Sequence, residues 1–490
     1  MAGSIKKESL IKLNDYLWEI PKSFRGDMRV PARVFSTEEI LDEAIKDRSL
    51  EQIVNVATLP GIQEYALAMP DIHEGYGFPI GGVAAIGVGD GGIISPGGIG
   101  YDINCGVRLL ASDLRYEEIR PFLTELANQI FRDVPSGTGR GGRIKLQGVD
   151  LDLILKNGAA QAVKMGYGMP DDLENCEEDG QMAGADPACV SSHAKNRGRD
   201  QLGTLGSGNH FLEIQKIDEV FDQKTAEVFG LQRDCATVLI HCGSRGLGHQ
   251  VCTDYVRLML PRLGKWGINL PDRELACAPL KSEEGQAYFA AMAAAANFAW
   301  ANRHVIAHLI RGAWERILRD KFPADRLCLK TIYDVAHNIG KIEKHTIRNT
   351  EKEIIMHRKG ATRAFGPGRE ETPPRYKKTG QPVLIQGTMG TASFVLCGTS
   401  EGMELSFGTA CHGAGRRMSR SQAKRTVRGS DLRNELEQRG ILIRCESNAG
   451  LAEEAPLAYK DVESVVKVVH NAGLAKKVAR LKPLAVIKGG

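Results

Sequence analysis

The chain has 490 residues, a formal net charge of +4, 42% hydrophobic residues and 25% charged residues, which is the balance of a folded globular protein and excludes a disordered or fibrous one. So small a net charge does not by itself argue for nucleic acid, and no apolar run approaches the roughly 18 residues needed to span a bilayer, which excludes a transmembrane helix. The eleven cysteines are odd in number, form no C-x-x-C pair and follow a polar opening without a secretory pattern, so reduced thiols in a cytoplasmic compartment are expected.

In chain order, residues 1–58 read as a short amphipathic opening and a helix, with Ser36-Thr37-Glu38-Glu39 as the N-terminal cap of a run to Asp47. No chemistry declares itself there. Asp71, His73 and Glu74 then crowd into a turn, where they read either as outer partners of a cation or as ordinary turn polarity. The glycine-rich stretch before Tyr101 delivers Asp102 and Cys105, three residues apart, into the start of a strand. A carboxylate and a thiol so spaced can reach one cation, although a lone D-x-x-C also describes a turn aspartate beside a small buried cysteine.

A helix is expected over residues 116–132, followed by a glycine loop whose Arg140 and Arg143 suit either phosphate or solvent. Residues 170–196, acid-rich and carrying Cys176 and Cys189, read as an insertion without metal-ligand spacing. Another glycine turn leads Asn209 and His210 into an alternating strand with Phe211 and Glu213, and the β-branched run 237–240 ends on His241. An alanine-rich helix over 288–320 carries His304 and His308 at i, i+4; without the glutamate of H-E-x-x-H they read as part of an ordinary helix face. Asp334-Val-Ala-His337-Asn338 again sets a histidine after an apolar run. Residues 383–396 read as strand, glycine turn, strand. His412 stands on a loop expected to open a basic helix over 416–428, where the arginines would depress its pKa.

Cys105, His210, His241 and His337 thus share one grammar, an apolar strand-like run on one side and a Gly or Asn turn on the other. Strand ends gathered in a sheet can meet at one rim. A thiolate, a carboxylate and three imidazoles suit divalent transition metals, and the sulfur can bridge two of them. Two cations about 4 Å apart would clamp an in-line phosphoryl displacement. A dinuclear phosphoesterase would need these ligands but not His412, and a non-catalytic RNA-binding protein would use the basic segments alone.

Six motifs in order, Tyr101-Asp-Ile-Asn-Cys-Gly-Val-Arg108, Gly206-Ser-Gly-Asn-His-Phe-Leu-Glu213, His241-Cys-Gly-Ser-Arg-Gly-Leu-Gly-His249, Asp334-Val-Ala-His-Asn338, His357-Arg-Lys-Gly-Ala-Thr-Arg363 and His412-Gly-Ala-Gly-Arg416, resemble those of the RtcB-type RNA-splicing ligases. The resemblance covers residues 59–488. It implies an α+β fold, a single compact domain over 1–490 with a β-sheet core, flanking helices and a metal site at strand ends. The implied activity is a GTP- and manganese-dependent RNA ligase that joins 2′,3′-cyclic phosphate or 3′-phosphate ends to 5′-hydroxyl ends, in tRNA splicing (joining tRNA halves) or RNA repair, with archease as an activating partner.

Carried over by the resemblance, Asp102, Cys105 and His210 would hold one manganese, and Cys105, His241 and His337 the second. His412 would take GMP from GTP and pass it to the RNA 3′-phosphate. The nucleotide would be held by Asn209, Phe211, Glu213, Asn338, Gly387, Thr388, Met389, Gly390, Ser393, Gly413, Ala414, Gly415, Tyr459 and Lys488. A carboxylate such as Glu213 and an ammonium such as Lys488 complement the donors and the acceptor of guanine, and adenine would leave both unpaired. Arg197, Arg199, Lys359, Arg363, Arg416 and Arg420 are candidates for RNA or triphosphate phosphates.

Overall fold

Runs such as Cys235–Cys242, buried along their whole length, form the middle of an eight-stranded sheet. The computed structural model describes residues 5–89, 91–137, 141–146 and 148–489, so Arg140 lies outside the described residues. In this sheet the order is Leu329–Ala336, Gly106–Arg115, Cys235–Cys242, Phe211–Val220, Ala475–Lys488, Ser393–Gly398 and Pro382–Ile385, each antiparallel to the next. Leu442–Cys445 pairs in parallel with Ala475–Lys488. In an antiparallel order one strand ends where its neighbour begins. Ala336 faces Gly106, Gly106 faces Cys242, His241 faces Phe211, and Phe211 faces Lys488. One rim therefore collects Cys105, His210, His241, His337 and Lys488.

A second sheet runs Ile11–Asn14, Leu17–Ile20, Ala32–Phe35, Ile62–His73, Ile80–Gly87, Thr350–Lys359 and Asn338–Ile347. The N-terminal residues are built into it as three strands at one edge, and Ile5, Leu10 and Trp18 join a core cluster that reaches as far as Ile355. The chain crosses between the sheets at His337, the single residue between Leu329–Ala336 and Asn338–Ile347. A short pair, Ala361–Arg363 with Thr409–Cys411, brings the chain back to the crossing and sets His412 beside it.

The alanine-rich segment is one helix, Glu283–Leu318, capped by Ser282, whose hydroxyl accepts from the Gly285 amide at 3.1 Å. Residues 291–307 are buried without interruption, as expected of a helix that is apolar all round. The helix expected over 116–132 is instead broken into Tyr116–Ile119, a tight turn Arg120–Phe122, and Leu123–Asp133, because Pro121 has no amide to continue the ladder. Thr37 caps Glu38–Ala44 as expected, accepting from the Ile40 amide. Among the described residues no helix is long and apolar enough to cross a membrane.

The acid-rich stretch packs inward. Asp172 accepts two bonds from Arg311, at 2.5 and 2.7 Å. Glu177, fully buried, accepts from the Ala336 amide and from Lys341, both at 2.7 Å. It braces the crossing one residue before His337.

From the central helix comes Arg303, also fully buried. Its Nε and Nη2 bond the Asp334 carboxylate at 2.9 and 2.7 Å, and its Nη1 donates to the carbonyls of Asn104 and Cys242 at 2.7 and 2.8 Å. Arg108 adds a bond to Asp334 at 2.8 Å. A buried charge is tolerable only when its hydrogen bonds are replaced in this way. Asp334→Asn strands two guanidinium groups and is expected to lower stability by about 3–5 kcal/mol. Urea denaturation measures this, and a change of less than about 1 kcal/mol would show that the network is not needed.

Candidate active site

The ligating atoms of two residue groups, Asp102 with Cys105 and His210, and Cys105 with His241 and His337, lie within 4.8 Å of one another inside each group. The Cys105 thiol is common to both. Its Sγ is 3.3 Å from His210 Nε2 and 3.2 Å from His241 Nε2; His241 and His337 present their Nε2 atoms to each other at 3.4 Å, and Asp102 Oδ2 lies 2.8 Å from His210 Nε2. The Nδ1 atoms of His241 and His337 are buried without a hydrogen-bond partner. Burial holds both imidazoles well below their ordinary pKa, hence neutral, and burial together with Asp102 pushes the Cys105 thiol up to about 12. Neutral imidazoles, a carboxylate and a thiol turned toward a common point form a donor set that fits divalent transition metals. Loading would release the thiol proton.

His412 follows the strand Thr409–Cys411, and its ring centroid is 4.7 Å from that of His337. Its Nδ1 lies 2.6 Å from Asp71 Oδ2 and 2.8 Å from the Gly360 carbonyl. Both partners are acceptors, so Nδ1 carries the proton and Nε2 keeps its lone pair. The approach depends on two glycines of positive φ: a Cβ at Gly360 would meet Ile80 at 2.3 Å, and one at Gly415 would meet the Asp71 carbonyl at 2.2 Å.

This surrounding corrects the expectation of an arginine-flanked histidine at a helix start. The basic helix is only Arg420–Thr426, capped by Ser419, because isolated bridges from Gly413 to Gln386 and from Arg416 to Tyr459 hold the intervening chain extended. Asp71 and His73 likewise belong to the strand Ile62–His73 rather than to a turn.

A cleft of about 1020 Å³ opens beside His412. Asn209, Phe211, Asn338, Gly387, Thr388, Met389, Gly413, Ala414, Gly415, Tyr459 and Lys488 line it, together with His241 and His337. Glu213, Gly390 and Ser393 stand behind this lining. Ser393 Oγ accepts from the Gly387 amide at 3.1 Å and from Gln215 at 3.2 Å. Glu213 accepts from Gln215 at 2.7 Å, its other oxygen has no partner, and burial pushes its carboxyl up to about 8. Lys488 donates to the carbonyls of Gly208 and His210.

The basic candidates divide by surroundings. Arg363 is buried and paired with Glu177 and Glu178, and Lys359 is buried against the carbonyls of Tyr76 and Phe78; neither faces a phosphate, which corrects that expectation. Arg416 and Arg420 line the cleft and are held by Glu454 at 3.1 and 3.0 Å. Arg197 donates to Gln250 at 3.1 Å, and Arg199 is exposed beside Asp200. His304 bonds Arg108 and joins no metal-ligating group among the described residues. Sequence reasoning missed Glu454, Gln386, whose amide lies 3.3 Å from His241 Nε2, and Arg245, 2.9 Å from His210 Nδ1. Arg245 stood inside a quoted motif, but no local signal marked the other two.

The family model described as tRNA-splicing ligase RtcB matches residues 52–489. A tRNA-splicing ligase RtcB of Archaeoglobus fulgidus is 53% identical over 98% of this chain and 99% of its own length. The protein of the same name from Thermococcus kodakarensis is 52% identical over the same shares. An RNA-splicing ligase RtcB of Mycobacterium tuberculosis is 51% identical over 89% of this chain and all of its own.

Because both ligand groups share one sulfur, Cys105→Ala is expected to retain less divalent metal after equilibrium dialysis than His337→Ala, which leaves the Asp102 group whole. Elemental analysis reads the difference, and equal retention would contradict the shared-ligand arrangement.

Proposed function

The chain belongs to the tRNA-splicing ligase RtcB family and is an RNA ligase of that family, and from that premise we propose that it seals RNA through a guanylylated His412. The ends joined are a 3′-phosphate, or the 2′,3′-cyclic phosphate that yields it, and a 5′-hydroxyl; tRNA halves and broken RNAs in the cytoplasm are the proposed substrates, with archease as an activating partner. The observation that carries this reading is the fixed tautomer of His412, with Nδ1 held by Asp71 and Nε2 free beside the ligand cluster.

His412 Nε2 attacks the α-phosphorus of GTP, an N–P bond forms, and pyrophosphate leaves. The Nδ1 proton stays on the ring, and the Asp71 carboxylate stabilises the cation that develops. An oxygen of the RNA 3′-phosphate then displaces the histidine and forms an anhydride with GMP. Finally the 5′-hydroxyl attacks the RNA phosphorus and GMP leaves. Two manganese ions, on Asp102, Cys105 and His210 and on Cys105, His241 and His337, would neutralise phosphate charge and acidify a bound hydroxyl.

Guanine selection falls to Glu213, whose unpartnered oxygen would accept from the base N1–H and N2–H₂. Phe211 and Tyr459 supply aromatic surface, and the amides after Gln386 and His412 supply donors. Glu213 must ionise to accept these bonds, so nucleotide binding releases a proton below a pH of about 8.

His412→Ala is expected to abolish formation of acid-labile, alkali-stable protein-bound GMP from labelled GTP while metal uptake persists. Absence of that adduct in the wild type would leave a metal phosphoesterase as the better reading. Asp71→Asn is expected to slow guanylylation by about 10²-fold or more, through loss of the tautomer. GTP affinity is expected to fall as pH drops below about 8, by at most tenfold per unit, and calorimetry in two buffers of different ionisation heat should detect proton release that Glu213→Gln removes.

A further inference from the structure

The ligand cluster has a second opening. The Asp102 side chain is 30% exposed, yet Asp102, Cys105 and His210 do not line the cleft that holds His412. The surface beside Asp102 is aromatic. Tyr101 stacks on His249 with centroids 4.8 Å apart at an interplanar angle of 29°, and Tyr76 meets Tyr101 edge-on at 5.2 Å. Tyr76 and Tyr101 pack against buried Cys252, Val256 and Ala276, which fixes the two phenol rings. His249 is exposed. It lies on the helix Arg245–Met259, one turn beyond Arg245. Core packing accounts for the tyrosines, but it does not require an exposed imidazole laid flat on one of them. Burial and the charge of Arg197 hold that imidazole below its ordinary pKa, so at neutral pH it is an uncharged flat ring.

Chemistry decides what would reach this opening. In an in-line displacement the entering 5′-hydroxyl approaches phosphorus from the side opposite the departing guanylate. On the ligase reading above, the guanylate sits with His412, which lies against His337, in one ligand group; Asp102 and His210 belong to the other. The incoming strand therefore arrives past Asp102, and its terminal nucleotides pass over Tyr101 and His249. We propose that His249, stacked on Tyr101, is a positioning platform for a nucleobase near the 5′-hydroxyl end of the RNA. Aromatic stacking tolerates any base, because every base has a π-face, and this suits an enzyme that joins ends of differing sequence.

The test is equilibrium binding of a 5′-hydroxyl RNA carrying 2-aminopurine at each near-terminal position in turn, to the full chain with manganese and without GTP. Wild-type protein is expected to quench the fluorescence at one position. His249→Ala is expected to lose that quenching and to bind about tenfold more weakly. His249→Phe is expected to restore both, and an abasic residue at the quenched position to reduce wild-type affinity to that of His249→Ala. Undiminished affinity in His249→Ala, or rescue by Asn but not by Phe, would overturn the proposal. Guanylylation of the wild-type chain, measured separately, reports on the ligase reading alone, so the two failures are distinguishable.

Discussion

The site depends on one buried cation. Arg303 gathers Asp334, the Asn104 carbonyl and the Cys242 carbonyl around a single guanidinium. These three residues stand one or a few positions from His337, Cys105 and His241. A planar group with five donors in fixed directions can tie three strand ends in one plane, which an ammonium on a flexible stem cannot do. The strands carry the ligands, but the central helix holds their ends in register. Asp334 itself is held by burial working against two arginines, which keep its carboxyl below the ordinary range, so the hub stays ionised while dry.

Around this hub, function follows from the order of the strands. In the eight-stranded sheet, alternation of direction makes three elements begin or end where their neighbours do the reverse, and the residues just outside the ladder become a rim. Such residues escape the backbone pairing that would bury them in the sheet, while the rigid strands behind them fix their positions. The second sheet contributes Asp71, Asn338 and Gly360 from strand ends of its own. The nucleophile is thus oriented by one sheet and the ligand cluster by the other.

Much of the metal group was legible in the sequence because its grammar is local. For Cys105, His210, His241 and His337, an apolar run and a glycine or asparagine turn lie within a few residues of each side chain. The fold-level expectation of sheets, flanking helices and a site at strand ends rested on the resemblance, and the structure has that form. What sequence reasoning could not reach are partners far apart along the chain. Asp71 and His412 are separated by 341 positions, and nothing near either one announces the other; the arginines beside His412 in sequence pointed to the wrong electrostatics. Arg363 and Lys359 looked available because a basic run looks solvated, whereas Glu177, Glu178 and two carbonyls had already claimed them. The proline inside the expected helix over 116–132 was a local signal that the helical reading passed over.

The crossing at His337 has a mechanical consequence. With a linker one residue long, neither sheet can slide or rotate without dragging an imidazole relative to Cys105, whose carbonyl also accepts the His337 amide at 2.8 Å. Occupancy of the donor set would therefore act as a rivet between the two halves of the molecule, and its binding free energy would appear as resistance to their separation.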